Sequence, residues 1–149
     1  MSKFESAELI LKLYDLRREP KMREARNWLF SFNPTDVDHY FQTMMDPEVG
    51  GLLRMVTSYW DMAAALVNHG AIDADMFADT AGEHIFVFAK IEPILADLRE
   101  RFQNPKAFAN LEKAIMDLPD GAERLAKTKE MMKTINEKMA AAHAEKASA

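Results

Sequence analysis

The sequence predicts an all-α fold, a single-domain bundle of about six to eight helices. Three observations lead there. Apolar residues recur at three- and four-residue spacing along most of the chain, the period of one helix face. Capping residues, prolines and glycines stand where helices begin and end, and little sequence is left between them. The strand-like run Ile85 to Ile91 passes without a turn signal into Ile94, Leu95, Leu98 and Phe102, again at helical spacing.

Ser2 with Glu5 three residues on is a capping box, in which each side chain satisfies a free backbone N–H. Ala7, Leu9, Ile10, Leu13, Tyr14 and Leu16 form the stripe of that first helix. Arg17 and Arg18 suit the negative end of its dipole. Pro20 opens a second helix, where its missing N–H is not needed. Met22, Ala25, Trp28, Leu29 and Phe32 line that helix until Asn33-Pro34 ends it. Thr35 is the expected cap of a short third helix through Phe41, with Asp36 and Asp38 in its first turn.

Asp46-Pro47-Glu48 signals a fourth helix running to about His69, with Gly70 as its left-handed stop. From Met55 to Val67 it is apolar on nearly every face, as a central helix is. Asp73 caps a fifth, and Thr80-Ala81-Gly82 breaks it. One helix from about Gly82 to Phe102 follows, bent near Pro93 because a proline ring obstructs the preceding turn. The segments Leu52–Val67 and Ile85–Phe102 should therefore form the centre, with Trp28 and Trp60 in or near the core.

Asn104-Pro105 restarts the chain, and Phe108, Leu111, Ile115, Met116 and Leu118 mark another stripe. After the turn Pro119-Asp120-Gly121, the last helix begins near Ala122. Leu125, Met132 and Met139 stand seven apart, with Ile135 three residues after Met132, a short heptad seam. Residues 144–149 are small and polar, an expected frayed tail.

At 149 residues the chain can bury a core without staples. The absence of cysteine removes disulfides, thiolate metal sites and cysteine nucleophiles, and suits a cytoplasmic protein. The apolar stretch Leu52 to Val67 carries Arg54 and Asp61 and is shorter than the ~20 residues of a spanning helix, so no membrane span is expected. Net charge is −5, carried by the middle of the chain. Residues 27–121 hold six basic and fifteen acidic side chains, while both flanks are slightly basic. An acidic centre argues against nucleic-acid binding, which depends on neutralising phosphates. The helix after Gly70 carries Asp75 and Asp79 and no base-reading side chain, which removes a helix–turn–helix reading.

The stretch Tyr59-Trp60-Asp61-Met62-Ala63-Ala64-Ala65-Leu66-Val67-Asn68-His69-Gly70-Ala71-Ile72-Asp73 leads to Phe77 and then to Ile91-Glu92-Pro93-Ile94 with Leu98-Arg99. Over about residues 50–116 it resembles bacterial all-helical families classed only as domains of unknown function. The resemblance implies a helical fold and a helix over 82–102. It brings no catalytic residues and no cofactor.

Chemistry is sparse. None of His39, His69, His84 and His143 has the Glu-x-x-His spacing of a helical di-metal site, and no metal is expected. There is no Gly-x-Ser-x-Gly elbow and no phosphate loop, since Gly50-Gly51 lacks a following Lys-Ser/Thr. What stands out is charge inside apolar helices: Arg54 and Asp61 on the fourth, Glu92 on the sixth, and Glu83-His84 at the sixth's entrance. Buried charges need partners. If Arg54, Asp61, Glu83, His84 and Glu92 converged, they would line a polar pocket, with Arg54, Asp61, His84 and Glu92 as the candidate ligand-binding residues.

Three functional readings follow. The first is a non-catalytic interaction protein that forms a homo-oligomer through Leu125, Met132, Ile135 and Met139. The second is a module for a small apolar or amphipathic ligand held between the central helices. The third, an enzyme, would need Asp61, His84 and Glu92 in one cleft.

Overall fold

A computed structural model describes residues 2–148. They form helices α1 (Lys3–Arg17), α2 (Pro20–Ser31), α3 (Val37–Met44), α4 (Gly50–Asn68) and α5 (Ala74–Thr80). The chain continues through α6 (Glu83–Ile91), a 3₁₀ turn (Glu92–Ile94), α7 (Leu95–Arg101), α8 (Ala109–Met116) and α9 (Gly121–Ser148). No strand occurs among the described residues.

The architecture follows from α4 and α6. The α4 helix packs against α2, α3, α5, α6 and α8, and α6 also packs against α8 and α9. Every residue from His84 to Ile91 is buried, so the strand-like run is a helix enclosed on all sides. Pro93 interrupts the predicted 82–102 helix as a 3₁₀ turn between α6 and α7, because its ring removes a donor and crowds the turn before it. Trp60 is deep in the core, and Trp28 packs at its edge, stacked on Phe32 with ring centroids 5.0 Å apart.

Several local expectations shift by a residue or more. The cap of α3 is Asp36, whose carboxylate accepts from the His39 N–H at 2.8 Å, and the helix continues past Phe41 to Met44. Thr35 instead donates its own N–H to His39 Nδ1 at 3.1 Å. Asp46 organises a turn, accepting from the N–H groups of Glu48 and Val49, and α4 begins only at Gly50. Nor is α4 apolar toward the interior all round: Met55 and Met62 lie on a solvent stripe with Arg54 and Ser58. Gly70 has φ +80°, the left-handed stop that its position demands.

Two long-range hydrogen bonds fix the first helix. Tyr59 donates its hydroxyl to the carbonyl of Leu13. The buried hydroxyl of Ser6 accepts from the Asp73 N–H at 3.0 Å. The last helix is 28 residues long and continues through Ser148, with residues 137–148 all exposed.

Candidate ligand groove

The predicted site residues take different partners and do not meet. Asp61 is half-buried on α4, and its carboxylate accepts from the Leu111 N–H at 3.0 Å. It thereby caps α8 from another helix, a task Phe108 at φ 57° cannot perform with an apolar side chain. Burial raises the Asp61 pKa, and the Leu111 bond partly offsets this. Arg54 is exposed and donates to the carbonyl of Met44 at 2.6 Å, tying the end of α3 to α4. Arg54 and Asp61 do share the lining of a shallow pocket with Tyr40, Met44 and Phe108. Glu92 pairs with Lys129 of α9.

His84 lies inside, 1% exposed, between Trp60 and Phe77 at ring distances of 5.8 and 4.8 Å. Burial pushes its pKa down to about 4, and the Arg124 guanidinium adds to the effect. Neither His84 Nδ1 nor Trp60 Nε1 has a hydrogen-bond partner. Lys90 is a second unexpected interior group. Its ammonium donates to the Phe32 carbonyl at 2.7 Å and to Asn33 Oδ1 at 3.0 Å. It thus closes the C-terminal end of α2 and lies 5.1 Å from the centre of the Phe86 ring. Burial lowers its pKa to about 8.

The expected interface residues also separate. Leu125 is buried in this chain's own core and Met132 packs against it. Ile135 is half-buried, and Met139 is exposed. The first half of the heptad seam therefore faces α6 and the core, and only its far end is free.

A larger feature lies where α2, the start of α6 and α9 come together: an open groove of about 570 Å³. Its floor is apolar. Phe30 is 45% exposed there and leans on Phe86, ring centroids 4.9 Å apart, with Ile85 and Met131 beside them. Its rim is cationic, with Arg17, Arg26, Arg124 and Lys127, and Glu83 is the one carboxylate in the lining. Arg26 Nε donates to both oxygens of Glu83, at 3.0 and 2.8 Å, while Arg17 stands 4.0 Å from the same carboxylate. Among the described residues, no other carboxylate lies within 4 Å of either guanidinium. Two half-buried cations thus share one anion, leaving one positive charge in excess. Arg124 pairs with Asp120, the residue just before α9, and Lys127 with Glu123 one turn back on α9. Such exposed pairs are worth under ~1 kcal/mol, and Arg124 is also held by the Ala78 carbonyl at 3.4 Å.

Sequence reasoning missed the groove, since Arg26 and Glu83 are 57 residues apart and no spacing rule joins them. The one signal that pointed there was Glu83, a charge at the entrance of an apolar run.

The fold is that of an all-α domain whose helices leave a cationic groove beside a central buried helix. The chain belongs to the family DUF4760, a domain of unknown function, whose profile matches residues 3–117. That span is wider than the resemblance over 50–116, and α9 lies beyond it. No curated protein and no solved structure matches the chain. Among the described residues, no helix is long and apolar enough to cross a membrane.

Proposed function

We propose that the protein is a binding module for a small amphipathic anion, held in the groove between α2, α6 and α9. The observation that carries this reading is the union of an apolar floor at Phe30 and Phe86 with the single surplus positive charge of Arg17 and Arg26 on Glu83, beside the ion-paired Arg124 and Lys127. In a chain of net charge −5 that concentration is local. A ligand with a flat or branched apolar body would cover the exposed Phe30 ring. Its anionic end would meet the surplus charge of the Arg17/Arg26/Glu83 group, with Arg124 and Lys127 adding positive potential at the rim. Pockets of this kind orient a mostly apolar ligand with a few polar contacts.

The test uses 8-anilinonaphthalene-1-sulfonate as an anionic amphipathic probe. Saturable emission is expected, weakening with salt as partly exposed charge pairs do. The double variant Arg124→Gln/Lys127→Gln, which removes the charges without placing like charges four residues apart, should bind it at least tenfold more weakly while still melting cooperatively. Equal affinity in the variant, or emission that never saturates, counts against the reading.

The far end of α9 supports self-association as a second reading. Residues 137–148 are exposed on every side, and about three turns of helix without packing are marginal in water. A second copy pairing along Met139 and the open side of Ile135 would supply that packing. Light scattering should then show an oligomer for the native chain and a folded monomer for Ile135→Asp/Met139→Asp. A native chain that is already monomeric removes this reading.

A further inference from the structure

A second pocket opens where α4 meets α3 and the segment leading into α8. It is about 370 Å³ and shares no lining residue with the groove. Arg54, Thr57, Ser58 and Asp61 line it at spacings of three and four, which is one face of the α4 helix. Phe102 and Phe108 are its aromatic walls, and Tyr40 and Met44 of α3 complete it. Side chains on a helix lean toward its N-terminus, over the residues three and four before them. The Asp61 carboxylate therefore leans back over Thr57 and Ser58, within the pocket.

That carboxylate is an unmatched charge. Its Oδ1 accepts from the Leu111 N–H at 3.0 Å, whereas its Oδ2 has no partner and is open to solvent. Among the described residues, no cation lies within 4 Å of it. Arg54 is the one cation in the lining, and it turns the other way. Its guanidinium lies over Gly50 and Gly51 and donates to the Met44 carbonyl. At 1.5 Å per residue this is roughly 10–15 Å along the axis from Asp61, outside the ~8 Å over which exposed charges act at physiological salt. Arg99 holds the Ala107 carbonyl at the pocket's edge and is already paired with Glu112 at 3.1 Å. The Ser58 hydroxyl donates to the Met55 carbonyl, so its lone pairs remain free to accept. A lone carboxylate does not make a metal site, which takes several oxygen ligands.

The geometry points to a binding site for a small primary amine with an apolar arm, held as its ammonium. The ammonium donates to Asp61 Oδ2 and to the Ser58 hydroxyl, and the arm lies between Phe102 and Phe108. The aromatic faces add to the attraction, since a ring face is negative toward a cation. An anion is repelled by Asp61. A neutral alcohol of the same shape leaves the carboxylate unmatched. This site is independent of the groove and of the ligand proposed for it.

2-Phenylethylamine and 2-phenylethanol are suitable probes, matched in ring and chain and differing in charge. Binding to the intact protein is followed by the amide resonance of Leu111, whose N–H rests on Asp61. The expected result is a saturable shift with the amine, about tenfold tighter or more than with the alcohol, as a hydrogen bond to a charged group provides. Asp61→Asn is the decisive variant, because its side-chain oxygen still caps α8 but carries no charge. It should melt cooperatively and bind the amine about tenfold more weakly or worse. Ser58→Leu fills the pocket from an exposed helical position, should weaken the amine likewise, and decides the matter if Asp61→Asn does not fold. Arg124→Gln/Lys127→Gln, which alters the groove alone, should leave amine binding unchanged. A Leu111 resonance that does not move overturns the assignment, as does equal affinity for the two probes. Native affinity for the amine in Asp61→Asn or Ser58→Leu also overturns it, as does binding lost in the groove variant, because the probe then sits elsewhere.

Discussion

Lowering the pH from 7 to 4 is expected to remove about 3 kcal/mol of folding stability through His84. The imidazole is buried and neutral, with its pKa down at about 4, against 6.5 for an ordinary histidine. Below pH 6.5 the unfolded chain takes up a proton that the folded chain refuses. Stability present above 6.5 is therefore lost as pH falls toward 4, and the loss is complete once the folded form also protonates. Asp61 acts in the opposite sense, since its pKa is raised by burial. Comparison with a variant cancels that contribution. Urea unfolding of the native chain and of His84→Phe, at pH 7 and pH 4, isolates the histidine. The variant should lose about 3 kcal/mol less over that interval, whatever its stability at pH 7. Parallel losses in the two proteins would show that His84 takes up its proton inside the fold without penalty.

The second large effect separates two neighbouring glycines. Gly50→Ala should destabilise the protein by about 3 kcal/mol, the upper end for a group forced into a packed site. That corresponds to a fall of roughly 6–12 °C in Tm for a domain of this size. Gly51→Ala should instead stabilise it by about 0.5–1 kcal/mol, the gain of alanine over glycine within a helix. A Cβ on Gly50 would lie 2.2 Å from the Met44 carbonyl oxygen and 2.9 Å from its carbon. Both are backbone atoms at the end of α3, and Arg54 also holds that carbonyl. A Cβ on Gly51 meets only the tip of Arg54, at 3.9 Å. Thermal melts of the two variants decide the matter, and the same sign in both would mean that α3 does not approach α4 this closely.

The same contrast runs through the functional reading. Charged residues inside apolar helices were legible as anomalies, and each has a specific partner. Asp61 caps α8, Arg54 holds the end of α3, and Glu92 pairs with Lys129. Their spacing along the chain could not say that these partners lie in three directions. Leu125 and Met132 show the same ambiguity, because a heptad seam reads alike whether it meets a second copy or its own α6. The pair Arg26 and Glu83 was invisible for a different reason: it joins α2 to α6, and only the packing of both beside α9 brings them to one groove.

Helix identity, the breaks at Pro34 and Gly70, a bend near Pro93, and the burial of 85–91 were determined by the sequence alone. They depend on neighbours three and four residues apart, which the linear order already contains. Which glycine must stay bare, which histidine stays neutral and where two arginines share one carboxylate were decided only by the tertiary structure. Those properties depend on atoms brought within a few ångströms from distant segments, and desolvation and steric contact exist only once the helices pack.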